Sequence, residues 1–325
     1  MRAIVVNEAG GPEVLTVAEI EAPKPGPGQL VAAVAAAGVN FIDTYQRSGL
    51  YPMPLPFTPG GEGAGRVVAV GEGVADFAVG DAIAWADAPG SYAEQVIVPA
   101  DRAVPVPDGV PLETAAASML QGMTAHYLTE STHPIAAGET ALVHAAAGGM
   151  GLLLTQLIKA KGAKVIGTVS TEEKAKLCRE AGVDDVIRYD SLADDALAAE
   201  VRRLNGGRGV DVVYDGVGAT TFEASLASLR PRGLLASFGN ASGPVPPFSI
   251  LRLAGLGSLF VTRPTLGTHI ATRDELLWRA GDVFRWLQDG TLNIRIGATY
   301  PLADAAQSHL DLEGRKTTGK LLIVP

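Results

Sequence analysis

Residues 140–151 read TALVHAAAGGMG. Strand-forming residues run into Ala146, Ala147, Gly148, Gly149, Met150 and Gly151, after which three leucines open a helical pattern. A buried strand, a tight glycine bend and a helix start make up a dinucleotide-binding turn. Gly148 lets the backbone approach a pyrophosphate, and Gly151 lets the helix pack close on the strand. The helix's unpaired N–H groups and positive dipole end then meet the phosphate charge. Ala146 stands where GxGxxG has its first glycine, so the pattern alone is weak and also fits a strand–turn–helix with no ligand. Residues 140–158 are apolar enough to suggest a membrane span, but the glycines at their centre and the flanking strand–helix alternation argue against one.

Outward from this turn the alternation is regular. Residues 164–169 form a second strand, and Ser170 to Glu173 has capping-box spacing before a helix that stops at Gly182. A third strand at 186–187 precedes a helix over 194–204, ended by Asn205, Gly206 and Gly207. A strand at 210–214, a helix at 222–229, a strand at 234–238 and a strand at 259–262 complete the series. Six short apolar runs separated mainly by helices imply a doubly wound parallel sheet of the Rossmann type. Residues 1–122 are different: short strands at 3–6, 30–34, 65–70 and 92–98 are separated by Gly/Pro turns, as in a strand-rich barrel. A helix over 112–128 carries a glycine bend at Gly122. After Arg263 the alternation stops, a helix begins at the Thr272–Glu275 capping box, and residues 321–324 form a last strand.

The chain of 325 residues has room for about two domains. With 26 basic against 35 acidic residues and no basic cluster, nucleic acid and anionic membrane surfaces are unlike its partners. Glu8 and two glycines interrupt the N-terminus too early for a signal peptide, so a cytoplasmic location is expected. Cys178 is the only cysteine, which rules out an internal disulfide and a thiolate metal cage. In an NAD-specific turn an acid at the end of the second strand binds the ribose 2′-OH. Here that strand ends Thr168, Val169, Ser170, and Lys174 follows one helical turn later, a pattern that favours the 2′-phosphate of NADPH. Glu172 and Glu173 lie close by, and a solvated helix charge is the plainer reading of Lys174.

NFIDTYQRSGLY at 40–51, AAAGGMG at 145–151 and LFVTRP at 259–264 carry a resemblance. The chain resembles the zeta-crystallin-like quinone oxidoreductases of the medium-chain dehydrogenase/reductase superfamily, from MRAIVV at its start to LLIVP at its end. NFIDTY, the GTV before Lys174, and SFGN at 237–240 are its more selective motifs. The resemblance implies a GroES-like barrel domain over 1–122 and 263–325, with an NADP-binding Rossmann domain over 123–262 inserted into it and the cofactor in the cleft. It also implies a homodimer. In the zinc-dependent alcohol dehydrogenases of the same superfamily the catalytic metal takes Cys, His and Cys, and aligning the patterns puts Asn40, Gly61 and Gln121 there. No metal site is expected, since these are not zinc ligands in that role and no pair among the five histidines has a metal spacing. His144, inside the first Rossmann strand, reads as a satisfied core histidine.

The resemblance further implies that Asn40, Tyr45, Tyr51 and Thr124 line the nicotinamide and substrate pocket, with Asp43 orienting the loop rather than titrating. A tyrosine hydroxyl would donate to a quinone oxygen; packing at a domain interface is the alternative for both tyrosines. Gly148, Gly149, Met150 and Gly151 would take the pyrophosphate. Ser170, Lys174, Tyr189 and Arg315 would hold the adenosine 2′-phosphate end, and Phe238, Gly239, Phe260, Val261 and Thr262 would flank the nicotinamide. Arg263 reads either as a pocket residue or as a domain bridge. Quinone reduction by NADPH is the expected activity. Reduction of activated alkenes, which needs a placed proton donor, and non-catalytic NADPH binding are the alternatives.

Overall fold

The computed structural model describes residues 1–192 and 196–325 (backbone only for Ser191). The chain divides into two compact units, Met1–Met123 with His269–Pro325, and Thr124–Thr268. The division falls within the helix Leu112–Tyr127.

Among its described residues the second unit holds six parallel strands. Across the sheet they run Asp185–Arg188, Lys164–Val169, Thr140–Val143, Val210–Asp215, Leu229–Ser237 and Phe260–Thr262. The chain builds outward one way from Thr140–Val143 and then the other way from Val210–Asp215. That reversal opens a crevice at the C-terminal ends of these strands, where such sheets bind ligands. Leu142, Ile166, Ile187, Val213 and Leu235, one from each of the first five strands, pack with Phe222 and Leu226 of the helix Phe222–Ser228. Strands buried on both faces read as continuous apolar runs, which is why they are legible in the sequence.

Local detail departs from expectation at the cap of the second helix. Thr171, not Ser170, caps the helix Glu172–Glu180, its hydroxyl accepting the Lys174 N–H at 3.3 Å. The helix Leu112–Tyr127 continues unbroken through Gly122. A Cβ there would sit 2.9 Å from Val283 Cγ1, so the glycine lets the helix Arg273–Gln288 pack close. The third helix is described over Leu197–Leu204; its expected start, at Asp194, lies outside the described residues.

The first unit is built on the long strand Gln29–Val39. Register shifts after Val31 and Val34 bend it, so along one edge it pairs first with Gln95–Pro99 and then with Lys320–Val324, and along the other with Glu62–Val70. Ala82–Trp85 and Val104–Pro105 extend the sheet on one side and Ile296–Pro301 on the other. A strand serving three partners wraps the sheet around two apolar clusters, one about Trp85 and Ile83, the other about Ile4 and Ile323. The register Gly38 to Glu62 and Val39 to Leu321 also brings Asn40, Glu62 and Lys320 to one end of it. Among the described residues no helix is long and apolar enough to cross a membrane.

Candidate cofactor and substrate sites

In the second unit the strand Thr140–Val143 turns through Ala145, which holds a left-handed φ of 50°, and the helix Gly149–Ala160 begins with Gly148 as its N-cap. Leu152 N–H is bonded to Gly148 O at 3.0 Å. The amides of Gly149, Met150 and Gly151 stand ahead of it in the first turn, where a helix has no carbonyl to offer them. A Cβ on Gly151 would lie 2.5 Å from Ala145 O and from Ala146 Cα, so only glycine lets this helix start so close to its strand. The methyl of Ala146, where a glycine is usual, is accommodated by Gly167 on the neighbouring strand, whose own Cβ would come within 2.8 Å of it. The turn therefore keeps a close-approach geometry with the glycine moved one strand over. Its backbone fits a pyrophosphate.

At the end of the second strand Lys174 Nζ reaches Ser170 Oγ at 3.5 Å. The parallel pairing of Arg188 with Val169 sets Tyr189 beside Ser170 at the adjacent strand end. Glu172 is held in ion pairs with Arg179 at 2.8 Å and Arg188 at 3.3 Å. Past the fifth strand, Gly216 leaves room for the ring of Phe238, and Arg263 NH1 donates to Ser237 O at 3.0 Å and Gly239 O at 2.9 Å. Arg263 thus ties the ends of the fifth and sixth strands within its own unit. Val261 and Thr262 are half-buried on the edge strand, and Phe260 is 60 % exposed. Thr124 is buried. His144 is a satisfied core histidine, 3.1 Å from Thr168 Oγ1 and 3.0 Å from Ser225 Oγ.

In the first unit Asn40 precedes the helix Phe41–Arg47, which carries Tyr45. Tyr51 N–H returns to Tyr45 O at 3.0 Å, and the two rings meet edge to face with centroids 5.4 Å apart. Tyr45 is 9 % exposed and Tyr51 38 %. Arg315, exposed and with a left-handed φ of 56°, follows the helix Ala305–Glu313.

Behind the tyrosines lies a buried polar chain that joins Asn40, Asp43 and Arg47 of the 40–51 stretch to Tyr92 and His309, which no sequence motif marks. Asp43 Oδ2 accepts the Asn40 N–H at 2.8 Å and the Tyr92 hydroxyl at 3.1 Å. The Tyr92 oxygen lies 3.2 Å from His309 Nε2, and Arg47 donates to His309 Nδ1 at 3.1 Å. Because a guanidinium only donates, His309 must carry its proton on Nε2 and give it to Tyr92. Arg47 then reaches Glu313 with two bonds of 3.0 and 2.9 Å. Asp43 Oδ1 is buried without a partner among the described residues, and burial pushes the Asp43 carboxyl up to about 7, against weaker pulls from Asn40, Lys320 and Tyr92. Asp43 thus orients the loop through the two hydrogen bonds it accepts, and burial shifts its carboxyl toward neutrality. Burial, with Arg47 nearby, holds His309 down at about 3, so it is neutral.

The residues aligned with a metal site do not suit a metal. Asn40 Oδ1 faces the Lys320 ammonium at 2.6 Å and Gln121 Nε2 at 3.3 Å, while Asn40 Nδ2 donates to Glu62 Oε2 at 2.8 Å. Gly61 has no side chain to offer. A second cation beside a buried ammonium would be repelled. Among the described residues no cluster of three or more His, Cys, Asp or Glu could hold a metal.

Two family models match the chain: the alcohol dehydrogenase GroES-like domain over residues 26–108, and the zinc-binding dehydrogenase over 149–278. The chain is 46 % identical to a quinone oxidoreductase of Pseudomonas aeruginosa over 97 % of each chain. It is 41 % identical to a 2-haloacrylate reductase of a Burkholderia species, covering 99 % of this chain and 98 % of that one. A mycobacterial protein solved in complex with NADPH is 50 % identical and superposes with a TM-score of 0.97 over the whole of both chains. The parallel sheet with its close-packed glycine turn, the bent strand of the first unit and this full-length similarity agree: the chain belongs to the quinone oxidoreductase family of the medium-chain dehydrogenase/reductase superfamily.

Proposed function

We propose that this chain reduces quinones with NADPH and without a metal ion. The observation that carries the reading is the ring of Asn40, Glu62 and Lys320, which puts an amide and an ammonium where a zinc-dependent relative has metal ligands. Without a Lewis acid, the acceptor must be one that takes hydride readily. A quinone is such an acceptor, because its reduction creates an aromatic ring. The relatives named above support the same acceptor and the same nucleotide.

NADPH, when bound, supplies the hydride. The backbone of Gly148, Gly149, Met150 and Gly151 holds the pyrophosphate in this reading. Lys174, with Ser170 and Tyr189, holds the 2′-phosphate. Phe238, Gly239, Val261 and Thr262 flank the nicotinamide. On the substrate side Tyr51, the more exposed tyrosine, donates to the quinone oxygen on which charge develops, and Tyr45 supports its ring. The oxygen then takes its proton from water. Asn40 acts by holding the segment in place. A homodimer belongs to this reading: among the described residues Phe260–Thr262 is the last strand of the sheet, and it carries an exposed apolar residue in Phe260. So does a cytoplasmic location.

The test compares kcat/KM for 1,2-naphthoquinone, 2-haloacrylate and a 2-alkenal at saturating NADPH. The quinone is expected to lead. Tyr51→Phe should slow it about fivefold, the worth of one neutral hydrogen bond of about 1 kcal/mol. Adding hydride to an alkene also requires a proton at a fixed carbon, so a higher kcat/KM for either alkene with a large Tyr51→Phe defect would replace the reading with alkene reduction.

A further inference from the structure

Lys320 is 2 % exposed and Glu62 fully buried, and their charged groups are 2.5 Å apart. Removing two charges from water is expensive, and an apolar pair of similar volume is commonly as stable or more so. Stability alone therefore does not account for this pair. What the pair does have is a shared client. The ammonium donates to Asn40 Oδ1, and Glu62 Oε2 accepts from both the ammonium and Asn40 Nδ2, closing a ring of three hydrogen bonds. With a cation at one end of the amide and a carboxylate at the other, the side chain can sit in one orientation only. Glu62 Oε1 meanwhile accepts the Leu120 N–H at 2.6 Å, tying the ring to the helix Leu112–Tyr127. Gly38 leaves the space, since a Cβ there would run into the Glu62 carboxylate and Lys320 Cε. Asn40 is also held by its backbone, through Asp43, at the start of the helix that bears Tyr45 and leads to Tyr51.

We propose that Lys320, paired with Glu62, is a positioning residue for the reaction: it locks Asn40 and thereby sets the tyrosine-bearing segment against the substrate. This rests on the quinone-reductase reading given above. The pair touches no reacting atom. It acts through Asn40, so its removal should loosen the placement of Tyr51 without touching the nucleotide turn, which lies in the other unit.

The test uses the full-length protein. Lys320→Met alone leaves Glu62 buried without its cation, so the informative variant is the double Glu62→Leu/Lys320→Met, which removes both charges together. Melting temperature, NADPH affinity by fluorescence titration, and kcat and KM for 1,2-naphthoquinone are measured with and without Tyr51→Phe. The double variant is expected to fold, to bind NADPH within about twofold of wild type, and to lose up to about fivefold in kcat, the full worth of the Tyr51 donor, with quinone KM changed less than about threefold. In its background Tyr51→Phe should have almost no further effect, because a misplaced donor has little left to lose. A wild-type kcat in the folded double variant, or a Tyr51→Phe defect of undiminished size, overturns the proposal. So does a double variant that no longer folds, which would assign the pair to stability. If the wild type reduces 2-haloacrylate and not the quinone, the quinone reading fails instead, and the same variants judge the proposal with that acceptor.

Discussion

Replacing Lys174 with alanine is expected to weaken NADPH binding about ten- to a hundredfold and to leave NADH affinity almost unchanged. The two nucleotides differ only in the 2′-phosphate, so a residue that acts on that group alone must separate them. Lys174 sits in the first turn of the helix Glu172–Glu180 with its ammonium beside Ser170 Oγ, at the C-terminal end of the second strand. The acid that could compete for a ribose hydroxyl, Glu172, is already paired with Arg179 and Arg188. A charge-assisted contact to phosphate is worth roughly 1.5–3 kcal/mol, which sets the expected range. Fluorescence titration of both nucleotides with both proteins measures it. Equal losses for the two, or a wild type that prefers NADH, would contradict the assignment.

Asp43→Asn should change how stability depends on pH, by about 4 kcal/mol between about pH 4 and 7. Burial raises the Asp43 carboxyl from 3.8 to about 7 in the folded protein. Below about pH 3.8 it is protonated in both states and contributes nothing to the balance. Between there and about pH 7 the unfolded chain has released the proton and the folded chain keeps it. Rising pH therefore disfavours the folded state by about 1.4 kcal/mol per unit, until the effect levels off above pH 7. His309 works in the opposite sense. Held neutral with a pKa lowered from 6.5 to about 3, it favours folding increasingly as pH rises through that interval. In the wild type the two slopes nearly cancel between about pH 4 and 6.5. The variant keeps only the histidine, so its stability relative to wild type should climb steadily from about pH 4 to 7. A constant offset comes from the new amide facing the Asn40 N–H and the Tyr92 hydroxyl. Urea unfolding at several pH values gives the difference; a difference independent of pH would show that Asp43 does not hold its proton.

The second unit was legible in the sequence because its strands are buried on both faces and separated by helices, so each appears as an apolar run between turn signals. Even there, packing overrode local reading. Gly122 looks like a bend from its helix propensity, yet it serves close helix packing against Val283. The glycine missing at position 146 is legible only once strand pairing sets Gly167 beside it. In the first unit the strand Ile296–Pro301 escapes notice because its residues are exposed or half-buried and show no apolar face. The polar network was invisible for a different reason. Lys320 and Asn40 are 280 positions apart, and Lys320 reads locally as an ordinary charge ahead of an apolar strand. Nothing nearby announces that the lysine points inward. Tyr92, His309 and Arg47 are similarly scattered, joined only by the fold.

Quinone reduction by NADPH with no metal at the position of Asn40, Gly61 and Gln121 should survive removal of metal from the protein. Purified protein is treated with a strong chelator, its metal content is determined, and the rate of NADPH oxidation by 1,2-naphthoquinone is recorded before and after. Zinc well below one per chain and an undiminished rate are expected. A rate that falls on chelation and returns on adding zinc alone would contradict this expectation.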